Sequence, residues 1–441
     1  MSEPQERNRE AARSSRGNAM LPWRANQENA TAVVFGLFET GLGVIRSLGQ
    51  QGVKVYGIDY KKDIGWYSRY SKPLHCPDPL RQEQSFLDWI QENFSDWSLK
   101  PAAFFTSDDF LISFSRNRNL LSKHFVFNLA EHDLIQCIAD KHCQFQIATK
   151  AGVNVPATWP ITKAADLDTL PDTMLYPAFI KGQDVNSWRR VMGGAIKGFQ
   201  VENDHDLREK IAPILRNDVP VILQEVIAGP DTNHLKYCSY TSSDGKIFAE
   251  FTLRKIRQYP VRFGVGSAVE SIQNAELIEE GRKLFSGIGF KGIGSAEFKY
   301  DNRDGKLKLI ELNPRYWQQN YLSTVCNMNF PYLNYLDISN QTPAPIESFQ
   351  TGIKWVNRYM DFYSFATYRR EGKLNFREWR KSLAGKKVYP DFAWDDPIPA
   401  LYGIDFGRKL YKLPWALYKK LFRSSNHVRA DVMDVERHSR A

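Results

Sequence analysis

The chain has few cysteines and no long apolar run. Its five cysteines include no CxxC pair and are odd in number, which favours free thiols over a disulfide framework. No apolar run approaches the roughly 18 residues that cross a bilayer, and the first residues carry no apolar signal segment. We therefore expect a cytoplasmic protein with reduced cysteines. They are Cys76, Cys137, Cys143, Cys238 and Cys326.

The positive charge of the chain is moderate and comes without a nucleic-acid-binding motif. The net charge is +9 at pH 7, but no recognised motif accompanies it, so we expect no nucleic-acid partner. Hydrophobic residues make up 42% of the 441 residues, which is typical of a globular protein of two or three domains. Residues 1–29 are polar and unpatterned, and they predict a disordered tail.

The ordered part of the chain begins with a strand–helix–strand pattern. A buried strand starts at Thr31, a glycine-containing helix follows, and a second strand ends at Asp59. The glycines Gly36, Gly41 and Gly43 do not spell GxGxxG. They suit either a dinucleotide site, with Asp59 near the ribose, or only tight strand–helix packing. Residues 30–130 are predicted to form a small open α/β domain.

Residues 293–315 read as two strands around a turn. The turn contains Asp304 and Gly305, the strongest short-range signal for a hairpin. With the turn centred there, Glu297 lies opposite Glu311, and Ser295 lies opposite Asn313. Because strand side chains alternate between faces, Glu311 and Asn313 are predicted to share one face with Leu307 and Leu309. The second strand ends in the five residues that follow Ile310: Glu311, Leu312, Asn313, Pro314 and Arg315.

Two carboxylates directly opposite each other repel, so the pair calls for an explanation. A hard cation such as Mg²⁺ prefers oxygen ligands and would turn the repulsion into a site, with the Asn313 amide as a further donor. Arg315 adds a cation for an anionic partner. The alternative is an exposed hairpin whose glutamates simply face water.

Further basic and glycine positions precede this hairpin. Lys141 lies within a predicted helix at 131–151, and an apolar strand ends at Lys181. Gly193 and Gly194 lie in a loop that could cover phosphates or be a plain flexible hairpin. Another apolar strand ends at Gln224-Glu225-Val226-Ile227, with Asp231 beyond it. A basic run follows, and it suits either a solvated edge or contact with a phosphate or carboxylate: Arg254, Lys255 and Arg257.

The order of these pieces resembles the ATP-grasp superfamily over residues 31–340. The sequence motifs look closest to those of D-aspartate ligase-like and carbamoyl-phosphate synthetase-like carboxylate–amine ligases. The most specific part of the resemblance is Glu297…Glu311-Leu-Asn313-Pro-Arg315. The resemblance implies a Rossmann-like α/β domain at 30–130 and an ATP-grasp fold with antiparallel sheets at 131–340. It places a mobile nucleotide lobe at about 155–225 and leaves 341–441 as a helical extension.

The resemblance also implies roles for individual residues. Lys141 and Lys181 would hold the phosphates of ATP, and the loop with Gly193 and Gly194 would close over them. Gln224, Glu225, Val226 and Ile227 would read adenine, and Asp231 would contact the ribose. Glu297, Glu311 and Asn313 would bind Mg²⁺, with Mn²⁺ as an alternative metal. Arg315 would face the reacting groups, and Arg254, Lys255 and Arg257 would face the transferred phosphate or a carboxylate.

The implied reaction joins a small carboxylate to an amine through an acyl phosphate, with release of ADP and phosphate. The alternatives are an ATP-grasp enzyme with a phosphorylated or carboxylated product, and a nucleotide-binding relative without activity. The segment 404–423 is basic, aromatic and amphipathic, and it suits either the anionic inner face of a membrane or packing onto the body. A dimer is one candidate for the oligomeric state.

Overall fold

A computed structural model describes residues 31–402 apart from 172, 173, 175, 193–197, 342, 344, 345 and 347. Three sequence-based expectations therefore lie outside the described residues. They concern the tail at 1–29, the glycine pair Gly193 and Gly194, and the basic segment at 404–423.

The N-terminal part of the chain forms a parallel sheet in the order β3-β2-β1-β4. The first strand is buried along its whole length, as expected of an apolar run covered by helices on both faces. Its elements are β1 Thr31–Phe35, α1 Glu39–Gly49, β2 Lys54–Asp59, β3 Ser71–His75, α2 Glu83–Phe94, β4 Ala102–Phe105, α3 Asp108–Arg116 and α4 Arg118–Leu121.

The single helix predicted at 131–151 is wrong, because two helices meet at Asp140. They are α5, His132–Ala139, and α6, Lys141–Lys150. The Asp140 backbone is extended, and its carboxylate accepts hydrogen bonds from the backbone amides of His142 and Cys143, which caps α6. Lys141 is therefore the first residue of a helix rather than the middle of one.

The reversal at Asp140 also corrects the expectation that every cysteine is a free thiol. It brings Cys137 and Cys143 within 5.1 Å between Cα atoms, and the two form a disulfide. Neither the six-residue spacing nor the helical pattern of the sequence indicates this pairing. The buried residues Cys76, Cys238 and Cys326 are free, as expected.

A small antiparallel sheet follows in the order β5-β8-β6-β7. It packs against α8 around a core of its own that includes Ile180, Leu207 and Leu223. The predicted strand that ends near Lys181 and the apolar strand before Gln224 are neighbours in it. Its elements are β5 Thr158–Ile161, β6 Ala178–Gly182, α7 Val185–Met192, β7 Phe199–Val201, α8 Asp204–Leu215 and β8 Val221–Glu225.

The largest sheet runs in the order β13-β12-β9-β10-β11-β14-β15 and is mainly antiparallel. Its last two strands come from beyond residue 340, so the sheet continues into the segment that the sequence assigns to the extension. Its strands are β9 His234–Thr241, β10 Ile247–Tyr259, β11 Val265–Ser271, β12 Gly292–Asp301, β13 Lys306–Asn313, β14 Lys354–Val356 and β15 Lys387–Val388. The accompanying helices are α9 Ala275–Gly287, α10 Asn320–Val325, α11 Phe330–Ile338, α12 Arg358–Arg370 and α13 Phe376–Ser382.

A buried arginine ties the end of the described chain to its beginning. The Arg46 guanidinium in α1 is fully buried and pairs with the Asp396 carboxylate at 3.0 Å. It also donates to the carbonyl oxygens of Pro390, Asp391 and Asp396. Because a buried guanidinium needs all its donors satisfied, this contact fixes residues 390–396 against the N-terminal domain.

The fold class predicted from the sequence is confirmed. A parallel N-terminal sheet is followed by two largely antiparallel sheets and by helices near the C-terminal end of the described chain. None of the helices in the described ranges has the length and apolar character to cross a membrane.

Candidate active site

The predicted register of the 293–315 hairpin is confirmed. Glu297 of β12 pairs with Glu311 of β13, and Ser295 pairs with Asn313. The strand next to β12 on the other side is β9, where Lys236 lies opposite Glu297. A lysine and two carboxylates thus form one row across three neighbouring strands.

A β-bulge at Ile310 corrects the predicted faces of this hairpin. Phe298 pairs with Leu309 while Glu297 pairs with Glu311, so Ile310 is an extra residue in β13. The bulge places Leu309 and Leu312 in the same core cluster and leaves Glu311 on the other face. Without it, Glu311 would point into the core with Leu309.

The Glu297 carboxylate lies between two buried lysines. Its Oε1 is 3.0 Å from Lys236 Nζ, and its Oε2 is 2.9 Å from Lys255 Nζ. Burial alone would raise the pKa of Glu297, but the two lysine charges hold it well below its ordinary value. Glu297 is therefore an anion, and its charge is balanced from two strands.

The Glu311 carboxylate pairs with Lys141, whose Nζ lies 2.9 Å from Oε1. Lys141, the predicted phosphate contact at the start of α6, thus lies against Glu311, a predicted metal ligand. Lys181 lies close to the same pair. Burial lowers the pKa of Lys181 to about 7, with a further lowering by the Lys141 charge and a partial offset by Glu311. The Lys181 ammonium group therefore loses its proton near neutral pH.

The predicted adenine strand lies beside Lys181. Lys181 Nζ donates to Gln224 Oε1 at 3.1 Å, which joins β6 to β8. Glu225 faces elsewhere, because its carboxylate is 2.5 Å from Arg303 Nη2. Lys299 Nζ donates to the Ile227 carbonyl oxygen at 2.7 Å and fixes the backbone just after β8. Val226 between them is half-buried.

Asp231, the predicted ribose contact, is held by side chains from two other segments. Gln258 Nε2 donates to its Oδ1 at 2.7 Å, and the Tyr368 hydroxyl donates to its Oδ2. Tyr368 belongs to α12, so the segment after residue 340 contacts the predicted ribose-binding residue. Burial and the Asp231 charge raise the pKa of Tyr368, which keeps its hydroxyl protonated as the donor.

Arg315 points across to the N-terminal domain. Its Nε and Nη2 lie 2.6 and 3.2 Å from the two carboxylate oxygens of Asp108, at the first residue of α3. The contact is a bidentate pair of the kind that arginine makes with carboxylates. It joins the end of the Glu297–Glu311 hairpin to the parallel sheet.

The three cations of the basic run have separate environments. Lys255 reaches Glu297, as described above. Arg254 instead pairs with Glu270 of β11 at 2.8 Å, and the Arg257 guanidinium pairs with Asp361 of α12 in a buried contact at 2.7 Å. The structure therefore brings Lys255 into the lysine–carboxylate cluster and places Arg254 and Arg257 in other ion pairs.

Several residues of the cluster escaped the sequence reasoning. Lys236, Lys299 and His234 all lie against it, and both His234 ring nitrogens lack a hydrogen-bond partner among the described residues. Burial, then the charges of Lys255 and Lys299, hold the pKa of His234 well below its ordinary value, so the ring is neutral. Lys236 carries one signal of a functional site, because it is a charged residue in a strand whose residues are all buried.

The donor set at the hairpin fits a hard divalent cation. Glu297 and Glu311 stand opposite each other, and the Asn313 amide follows Glu311 by two residues on its strand. In the described ranges, no three acidic, histidine or cysteine side chains converge on one point. Glu297, Glu311 and Asn313 are the residues that would hold a metal here, through oxygen ligands of the kind that Mg²⁺ prefers.

No protein-family model matches the chain. In sequence it is similar to the D-aspartate ligase of Enterococcus faecium (strain Aus0004), with 22% identity over 302 residues, which cover 65% of this chain and 71% of the ligase.

Two solved structures show the likeness in fold. Carboxyaminoimidazole ribonucleotide synthase from Aspergillus clavatus, complexed with ATP, has a TM-score of 0.57 and 14% identity, over 74% of this chain and 80% of that one. L-amino acid ligase from Bacillus licheniformis has a TM-score of 0.54 and 12% identity, over 73% of this chain and 76% of that one. The resemblance to a D-aspartate ligase inferred from the sequence is confirmed, and the two structures show that the fold is shared.

Proposed function

We propose that this protein is an ATP- and Mg²⁺-dependent ligase that joins a carboxylate to an amine through an acyl phosphate. The observation that carries the proposal is the cluster of four lysines around two opposed carboxylates. Lys236 and Lys255 flank Glu297, and Lys141 pairs with Glu311, with Lys181 close by. The similarity to a D-aspartate ligase supports the class of reaction.

The charges of the cluster suit a polyphosphate. ATP brings about four negative charges, and a site that binds it needs fixed cations and metal ions. Lysines act as compact point charges, while the two carboxylates and Asn313 would hold the metal. Glu297, Glu311 and Asn313 would hold Mg²⁺, whose charge would offset the negative charge that develops during phosphoryl transfer.

The roles of the chain's own residues follow from their positions. Lys141 and Lys181 would bind the phosphates from the junction of α6 and β6. The backbone of Glu225–Ile227 would receive adenine, since Lys299 fixes it and Gln224 connects it to Lys181. Lys255 would neutralise the transferred phosphoryl group.

The reaction would proceed in two steps. An oxygen of the substrate carboxylate attacks the γ-phosphorus, and the bond to the β-phosphate oxygen breaks to release ADP. The amine nitrogen then attacks the acyl carbon and loses a proton, and inorganic phosphate leaves. Positioning and charge stabilisation supply most of the rate in such transfers, so no protein nucleophile is required.

The geometry disfavours a nicotinamide-binding function. Asp59, the candidate ribose acid, already accepts hydrogen bonds from the backbone amides of Leu37 at 2.6 Å and Lys61 at 3.0 Å. Its carboxylate thus closes the loop after β1 rather than facing a ribose. A phosphorylated or carboxylated product remains the second candidate for the ATP-grasp reaction.

The test is a screen for ADP release. The purified protein, Mg-ATP and a panel of amino and hydroxy acids, D-aspartate included, are combined with a panel of amines. The proposal expects ADP release that requires both an acid and an amine, with one amide formed per ADP. Release with the acid and bicarbonate, or with a hydroxyl acceptor, would favour the second candidate. NAD(H) binding without Mg-ATP turnover would overturn the proposal.

A further inference from the structure

The strand order of the N-terminal sheet reverses at β1, and we call the region at the carboxyl ends of β1 and β4 the switch-point crevice. The chain proceeds from β1 to β2 and β3 on one side, and then returns to place β4 on the other side of β1. The helices that follow β1 and β4, α1 and α3, begin at the carboxyl ends of these two strands. In open α/β sheets, ligands bind at such a switch point.

The loop after β13 connects this crevice to the lysine–carboxylate cluster. Arg315 pairs with Asp108 at the start of α3, and Gln318 Nε2 donates to the Glu39 carboxylate at the start of α1. The next residue, Gln319, accepts a hydrogen bond from Lys236 at 3.2 Å. One short loop therefore contacts both sides of the crevice and the lysine that holds Glu297.

The Glu39 carboxylate has amide partners but no cation. Besides Gln318, it accepts a hydrogen bond from Asn357 Nδ2 at 2.8 Å. Among the described residues, no lysine, arginine or histidine lies within ion-pair distance of it. The charged groups that act on Glu39 are Asp391, which is paired with Arg358, and Asp63. A desolvated carboxylate beside other acids is ordinarily matched by a cation.

We infer that the switch-point crevice is the acceptor site, and that the Glu39 carboxylate binds the ammonium group of the amine substrate and then takes its proton. The inference rests on the proposed ligase function and deepens it. Gln318 and Asn357 would hold both Glu39 oxygens in place, as positioning residues. The ammonium would supply the positive charge that the described residues do not place within ion-pair distance of Glu39.

The proton balance is complete. An ammonium has no lone pair and cannot attack the acyl phosphate. Transfer of one proton to Glu39 gives the neutral amine, which attacks the acyl carbon while phosphate leaves with the bonding electrons. The nitrogen then loses its second proton to the departing phosphate, which is released as hydrogen phosphate. Burial, followed by the charges of Asp391 and Asp63, raises the pKa of Glu39 to about 7 against the lowering by its amide partners. A carboxylate with that pKa is a better base at neutral pH than an exposed one.

The test separates the two steps with a nucleophile that needs no base. Hydroxylamine is uncharged at neutral pH and traps an acyl phosphate as a hydroxamate. The wild-type protein is first assayed with Mg-ATP, hydroxylamine and the acid panel that includes D-aspartate. The acid that gives hydroxamate is then assayed with primary amines, for wild type, Glu39→Gln and the control Glu83→Gln. Glu83 is a glutamate of α2 in the same domain, paired with Arg116.

Glu39→Gln should retain hydroxamate formation within about twofold while amide formation falls by about a hundredfold or more, the usual effect of losing a general base. The wild-type amide rate should show an inflection near pH 7, and Glu39→Gln should lose this inflection and follow the fraction of neutral amine in solution. Equal loss of both products, or an unchanged pH profile, would overturn the role of Glu39. Absence of hydroxamate from wild type with every acid would instead overturn the proposed function, and this inference with it.

Discussion

Glu297 and Glu311 lie directly opposite each other on neighbouring strands, and lysines from other elements balance both charges. Lys236 and Lys255 reach Glu297, and Lys141 reaches Glu311. Opposed carboxylates would destabilise the sheet without these partners. Because the lysines come from β9, β10 and α6, the site is assembled by the fold and not by the hairpin alone. Under the proposed function, binding of a nucleotide and a metal would turn the lysines from the carboxylates to phosphate oxygens.

Replacing Glu311 by glutamine tests the importance of this arrangement for turnover. Glu311→Gln removes one predicted metal oxygen charge and the partner of Lys141, so ADP release should fall by about a hundredfold or more. Circular dichroism and the thermal midpoint should stay close to wild type, since the Glu311 side chain is only partly buried. The control is Glu280→Gln, a glutamate of α9 paired with Lys283. Wild-type ADP release in Glu311→Gln would contradict the metal assignment.

The low pKa of Lys181 predicts that the protein takes up a proton when it binds a nucleotide. Its pKa of about 7 in the unliganded protein lies well below that of an ordinary lysine, so most molecules carry a neutral Lys181 above that pH. Bound phosphates would favour the charged form and raise the pKa again. Uptake should therefore be small below pH 6 and approach one proton near pH 8. Calorimetric titration with ATP in buffers of different ionisation enthalpy measures it.

Lys181→Met is the matched variant for that titration. It should bind ATP more weakly, and the proton uptake near pH 8 should disappear. Uptake that persists unchanged in the variant would assign the proton to another group and remove the support for Lys181 as a phosphate contact.

The hairpin was predictable because its information is local. The Asp304-Gly305 turn and the alternation on each side fix the register, and the register alone sets Glu297 against Glu311. The bulge at Ile310 was not predictable from that alternation. It arises because Leu309 and Leu312 both need the core while Glu311 must face away from it, a conflict that appears only once the sheet is packed.

The basic run shows the opposite limit. Arg254, Lys255 and Arg257 stand within four residues, and nothing in their order distinguishes them. Their directions depend on the neighbouring strands and on irregular pairing after Lys255, so one cation reaches Glu297 and the others reach Glu270 and Asp361. Roles that depend on such non-local pairing cannot be read from a charge pattern.

Arg257 is predicted to act on stability. Arg257→Leu would leave the buried Asp361 carboxylate without its guanidinium partner, which should lower the free energy of unfolding by about 3–5 kcal/mol. Arg254→Leu breaks a more exposed pair with Glu270 and should lower it by about 1 kcal/mol or less. Urea unfolding measures both. Equal values for the two variants would contradict the distinction between a buried and an exposed pair.

The double variant Arg257→Leu/Asp361→Asn identifies the cause. It removes the buried charge as well as its partner, so it should recover part of the stability lost in Arg257→Leu. If the double variant instead loses as much stability as Arg257→Leu and Asp361→Asn together, the guanidinium stabilises the protein through its other contact. That contact is the hydrogen bond to Ser382 at 2.6 Å.

Because of the Cys137–Cys143 disulfide, we predict that the proposed ATP site responds to reduction. The bond spans the Asp140–Lys141 corner, and Lys141 carries its charge to Glu311 at 2.9 Å. Both cysteines are only partly buried, so a dithiol can reach them by thiol–disulfide exchange, becoming a disulfide as the protein gains two thiols. Opening the seven-residue loop gives the corner more freedom, and ordering Lys141 on binding then costs more.

The dissociation constant for ATP should rise by about fivefold, as measured by calorimetry with and without dithiothreitol. Cys143→Ser should show the weaker affinity in both conditions. An affinity that is unchanged by reduction in the wild type would show that Asp140, through its cap on α6, holds Lys141 without help from the bond.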